Sequence, residues 1–109
     1  MGSTITGWSV TQNYSDAQTT VTLVNPNIAT SSLVLIGFII STAVANNISL
    51  DDTNGGTIVQ TLYFAANGGC VATCSDKDTP IKILPRGAGL RITSSGAGNH
   101  SITIWGYEL

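Results

Sequence analysis

Few residues of this 109-residue chain are able to do chemistry: two cysteines, one histidine, six carboxylates and four basic side chains. Cys70 and Cys74 fall within one short segment. On a single strand they would share a face with Cα atoms about 13 Å apart, beyond the roughly 7 Å that a disulfide tolerates. A bridge requires Val71, Ala72 and Thr73 to form a tight loop; otherwise both are small buried thiols. Together with His100 they fall short of the four ligands zinc usually takes. His100 adjoins Ser101, but strand neighbours point to opposite faces, so these two do not form a base and nucleophile. No G-x-S-x-G elbow occurs. Asp51 with Asp52, and Asp76 with Asp78, are carboxylate pairs of the kind calcium takes. They read instead as turn residues, without EF-hand spacing. The expectation is a chain with no catalytic residue, no metal and no cofactor.

Asn13, Asn47 and Asn99 each open an N-x-[ST] triplet. In a chain so rich in Asn, Ser and Thr these arise readily by chance. Met1, Gly2 and Ser3 lead into strand-like sequence with neither a basic region nor an apolar run, so synthesis in a cytoplasm is expected and the triplets stay unmodified. Gly2 gives only a weak myristoylation pattern.

The element that must organise everything else is Ser31 to Val44, SSLVLIGFIISTAV, the longest apolar run. Its β-branched residues and the internal Gly37 favour a central strand over a helix, and it is too short to span a membrane. Strict alternation puts Val34, Ile36, Phe38 and Ile40 on one face and Leu33, Leu35 and Ile39 on the other. Both faces are apolar. A small two-layer domain has one core, so Leu33, Leu35 and Ile39 are expected to meet another molecule. Trp105 and Tyr107 lie opposite the core-facing Ile102 and Ile104 in the last strand. They suit a subunit contact, an ordinary core position or a ligand platform.

Charged residues make up 9% of the chain, against roughly 25% in ordinary soluble proteins. The net charge of −2 argues against a nucleic-acid partner, which needs clustered cations. Lys77, Lys82, Arg86 and Arg91 are the only basic residues and read as a solvated face or a few ion pairs.

Further short strands are expected at Thr4 to Val10, Thr19 to Asn25, Ile48 to Leu50, Thr57 to Ala66, Cys70 to Cys74, Ile81 to Leu84, Leu90 to Thr93 and His100 to Leu109. Turn clusters separate them, among them Gln12 to Gln18, Asn46 with Asn47, and Asp51 to Gly56. No helical periodicity intervenes. The fold class is therefore all-β: a single-domain antiparallel β-sandwich over residues 1–109, a jelly roll of eight or nine short strands, with an immunoglobulin-like sandwich second.

From Gly56 onward, three motifs stand in order: Ile81 to Gly87 ending Leu-Pro-x-Gly, Gly89 to Ile92 reading Gly-Leu-x-Ile, and Ile102 to Glu108 ending Gly-Tyr-Glu. This half of the chain resembles small virion proteins of tailed bacteriophages, of the capsid decoration (cement) type. The resemblance implies a β-sandwich that assembles as a homo-oligomer, commonly a trimer, on the major capsid protein. The implied location is the capsid exterior. It carries no catalytic residues over. The alternative is a tail or spike module that binds host-surface glycan through Trp105 or Tyr107.

Overall fold

The computed structural model describes residues 6–74, 76 and 78–109, except for the side chain of Thr6. Met1, Gly2, Ser3, Thr4 and Lys77, named above, lie outside the described residues. Nine strands follow in chain order: β1 (Thr6–Tyr14), β2 (Gln18–Val24), β3 (Leu33–Thr42), β4 (Asn46–Asp52), β5 (Thr57–Phe64), β6 (Gly68–Thr73), β7 (Lys82–Ile83), β8 (Leu90–Ser94) and β9 (His100–Glu108). One sheet runs β1-β9-β3-β6, with β7 also paired to β3; the other runs β2-β8-β4-β5. The pairing is nested: β1 with β9, β2 with β8, β3 with β6 and β4 with β5, all antiparallel. Wrapping this ladder so that β9 meets β3 and β8 meets β4 gives the two sheets of a jelly roll. The sandwich expected from the sequence is the one observed.

Several boundaries move. β1 runs to Tyr14, through part of the polar segment expected to turn, because β9 offers it a continuous antiparallel partner from Glu108 to His100. β4 begins at Asn46 and ends at Asp52, so residues expected in flanking turns join the ladder with β5 and β8. Local turn preference yields where a neighbouring strand can take the backbone hydrogen bonds.

The principal correction concerns β3. Against β9, Leu35 pairs Gly106 and Gly37 pairs Trp105, so Ile36 is an extra residue, a β-bulge. Its physical origin is a change of neighbour. Gly37 to Thr42 pair with β6, whereas Val34 and Leu35 pair with β7. At the join, the Ile36 carbonyl accepts from Cys74 N at 3.0 Å and the Leu35 carbonyl from Ile81 N at 2.9 Å. One inserted residue inverts the side-chain parity. Leu33 and Leu35 therefore point inward with Phe38 and Ile40, and only Ile39 of the expected trio faces out. Leu33 and Leu35 are 1% and 0% exposed within their own chain. Both are core residues, not an uncovered face.

The same device acts on the facing sheet. Ile48 pairs Leu62 but Leu50 pairs Val59, so β5 carries an extra residue. Val59, which strict alternation would turn away from Ile58, packs on the same core. In β2, register shifts flank Val21 and Thr22, and Thr20 adopts φ 44°. Val24 thereby joins Val21 and Leu23 against the core instead of alternating with them. Leu33, Leu35, Phe38, Ile40, Ile48, Leu50, Leu90, Ile92, Ile102 and Ile104 fill the space between the sheets.

The bulge makes a testable distinction. Leu35→Ala is expected to cost about 2–5 kcal/mol in denaturant unfolding, and Ile39→Ala under about 1 kcal/mol. Equal costs would contradict this register.

Candidate interaction face

The outward side of the β1-β9-β3-β6 sheet can be written row by row from its register. One row is Gly7, Tyr107, Val34 and, on β7, Ile83; the next is Ser9, Trp105, Gly37 and Thr73. Then come Thr11, Thr103, Ile39 and Val71, followed by Asn13, Ser101, Ser41 and Gly69. Among the described residues of these rows none is charged. The face grades from aromatic and aliphatic at one end to amide and hydroxyl at the other. Ile39, Val71 and Ile83 are 43%, 67% and 50% exposed. Ile39 and Val71 are direct cross-strand partners, so their exposed surfaces adjoin.

Trp105 is held on this face by Gly37. A Cβ at position 37 would collide with the six-membered ring of Trp105, so the indole lies against bare backbone. Trp8 secures the neighbouring edge from the inner side, its Nε1 donating to the Tyr107 carbonyl at 2.9 Å. Toward the polar end, hydroxyl pairs link strands at 2.9 Å each: Thr11 with Thr103 and Ser41 with Ser101. These pairs give the face hydrogen-bonding capacity without charge.

Of the residues singled out by sequence, Ile39, Trp105 and Tyr107 are brought together here, while Leu33 and Leu35 are not. Val71 and Ile83 were missed. Alternation through Gly69 to Thr73 places Val71 outward only once Cys70 is known to face the core.

The opposite sheet is different in kind. Its outward row Thr22, Arg91, Asp51 and Thr57 contains an ion pair, with Arg91 Nε and Nη2 donating to the two Asp51 carboxylate oxygens at 3.2 and 2.7 Å. That hydrogen bonding raises the Arg91 guanidinium pKa further, against a smaller desolvation, with the Asp51 and Asp52 charges adding to it. Asp52 is buried and its Oδ1 accepts from the amides of Asn54 and Gly56 at 2.7 and 3.1 Å. These carboxylates are engaged in pairing and turn closure. Asp76 Oδ1 likewise accepts from Asp78 N.

His100 finds its hydroxyl partner on the other sheet. Ser94 Oγ on β8 lies 2.8 Å from His100 Nε2 on β9, both residues buried. The Ser94 oxygen also accepts from Gln18 N at 3.0 Å, and His100 Nδ1 lies 2.7 Å from the Gly98 carbonyl. That carbonyl only accepts, so Nδ1 carries the proton and, in the neutral ring, Nε2 accepts from Ser94. Serine and imidazole are within the reach of a nucleophile and base, yet the hydroxyl is fixed inside the sandwich. The arrangement is a clamp between sheets. The Tyr14 ring stands 5.5 Å from that of His100, and burial raises its phenol pKa. Cys70 and Cys74 are free thiols; Cys70 packs on the core, and burial raises its pKa.

No family model and no curated protein matches the chain. Among solved structures it is similar to a chain of the T13 IBDV viral particle, at 20% identity over 94% of this chain and 31% of that one, TM-score 0.44. It is also similar to a chain of the infectious bursal disease virus Gt strain, at 18% identity over 95% of this chain and 32% of that one, TM-score 0.39. The chain spans about a third of the length of either.

The seating of Trp105 is checked by a double-mutant cycle. Gly37→Ala is expected to destabilise by about 1–3 kcal/mol, and by clearly less in a Trp105→Ala background. Additive effects would exclude the contact. For the thiols, a Cys74→Ser variant leaves Cys70 alone. Burial raises its pKa, so less thiolate exists at any given pH. Iodoacetamide should therefore label it more slowly than a small free thiol at pH 8, with the rate climbing as pH rises.

Proposed function

We propose that this chain is a structural virion subunit, a capsid decoration (cement) protein that acts by binding rather than by catalysis. The observation that carries the reading is the outward face of the β1-β9-β3-β6 sheet, which among its described residues carries no charge and has Ile39, Val71 and Ile83 exposed along it. Placing like-charged copies side by side costs Coulomb energy, and a neutral face avoids that cost. Ile39 and Ile83 are about half covered and Val71 about a third, so hiding the remainder contributes about 1 kcal/mol apiece. The threonine and serine pairs supply donors and acceptors at the border, and Trp105 on its glycine seat gives a rigid aromatic anchor of the kind that dominates interface energetics.

In this reading the chain forms a homo-oligomer, a trimer in the arrangement the sequence resemblance implies, and seats on the major capsid protein at the particle exterior. Its work is mechanical: it joins neighbouring subunits so that they separate less readily. The buried Ser94 and His100 pair holds the two sheets in register and does no chemistry on a substrate.

The test combines light scattering with co-sedimentation on purified capsids. Wild type is expected as an oligomer in solution or bound to particles at many copies. The double variant Ile39→Asp, Val71→Asp should retain its β-sheet circular dichroism and thermal midpoint while losing association. A wild-type chain that stays monomeric and fails to bind capsids defeats the proposal. Glycan binding that disappears with Trp105→Ala would instead favour a tail or spike role.

A further inference from the structure

A cleft of about 480 Å³ opens at the polar end of the same sheet, a size in the range of small-molecule sites. Two of the three N-x-[ST] triplets meet there: Asn13, Tyr14 and Ser15 from the end of β1, and Asn99, His100 and Ser101 from the start of β9. Antiparallel register sets Tyr14 opposite His100 and Asn13 opposite Ser101. Residues of both triplets thus line the same cavity, related by the local two-fold of the ladder, with Asn13 and Ser101 on the outward face and Tyr14 and His100 paired on the inward one. The two amides and Ser15 are exposed, while His100 is buried and Tyr14 half-buried.

We infer that this cleft binds a short neutral saccharide. Among the described residues that line it there is no Lys, Arg, Asp or Glu, so it has no permanent cation with which to hold a phosphate or carboxylate and no carboxylate for an amine. Amides and hydroxyls both donate and accept. That matches the mixed donors and acceptors of a polyol, whereas an apolar ligand would strip them of water without replacement. His100 is 4% exposed and its ring is packed 5.5 Å from that of Tyr14, so of the two rings only the half-buried Tyr14 leaves apolar surface for the C–H face of a sugar. Both His100 nitrogens are already bonded, to Ser94 and to the Gly98 carbonyl. The ring is therefore a wall of the site and not a base, and the site binds without hydrolysing. The inference is independent of the assembly reading. Along β9 the cleft stands about 13 Å from Trp105, so the two sites are separable.

The experiment is a two-dimensional amide NMR titration of the full chain with glucose, galactose, N-acetylglucosamine and their β-linked disaccharides, with glucuronic acid as the charged comparison. Expected are saturable shifts centred on residues 13–15 and 99–101 for at least one neutral sugar. The exposed double variant Asn13→Ala, Asn99→Ala should keep its spectrum elsewhere and weaken that sugar about tenfold, the loss from two neutral hydrogen bonds. Absence of saturable shifts with every neutral probe, shifts centred on Trp105, tighter binding of glucuronic acid, or unchanged affinity in the double variant would each overturn the assignment.

Discussion

The structure depends on the place where β3 exchanges one neighbour for another. A central strand must satisfy hydrogen bonds along both edges, and β3 does so with β9 on one side and with β6 then β7 on the other. The exchange is made at Ile36, whose carbonyl is taken by Cys74 N while that of Leu35 is taken by Ile81 N. Inserting a residue there keeps the backbone paired and inverts the side-chain pattern. Apolar residues on both sides of the bulge thereby serve a single core. Without it, Leu33 and Leu35 would face water and the sandwich would lose two of its fully buried leucines.

Removing those leucines from the outer face leaves a surface that is neutral and only partly apolar. Ile39 and Val71 form an exposed aliphatic strip beside the hydroxyl pairs, and Ile83 is exposed two rows away, beyond Trp105 on Gly37. Its energetics differ from those of a wholly greasy ribbon. Hydroxyls and an amide keep it wettable when bare, and the aliphatic strip gains when it is covered. The charged residues of the opposite sheet, chiefly Arg91 and Asp51, sit where they leave this face undisturbed.

At the other end of the core the sandwich is closed by polar groups. Asn46, Ser94, His100 and Thr42 are all buried, and each is bonded. Asn46 Oδ1 accepts from Ser95 N and Gly96 N, and its Nδ2 reaches Thr42 at 3.4 Å. Ser94 bridges Gln18 N and His100. Among the described residues no buried side-chain polar atom is left without a partner. A satisfied buried network fixes the offset between two sheets, because sliding would orphan several groups together. The cleft beside His100 inherits its shape from that closure.

Composition and periodicity alone determined that the chain is an antiparallel β-sandwich, where most strands lie, and that Trp105 and Tyr107 face away from Ile102 and Ile104. Those properties follow from side-chain alternation and turn residues, which are local. The inward turn of Leu33 and Leu35, the adjacency of Ile39 and Val71, the engagement of His100 by Ser94 in place of Ser101, and the meeting of two Asn-x-Ser triplets were decided only by tertiary structure. Each rests on which strand lies beside which and on the residues inserted as bulges to keep them paired. A bulge carries no strong composition of its own: Ile36 looks like any other strand residue until the two neighbours competing for the edge of β3 are in place.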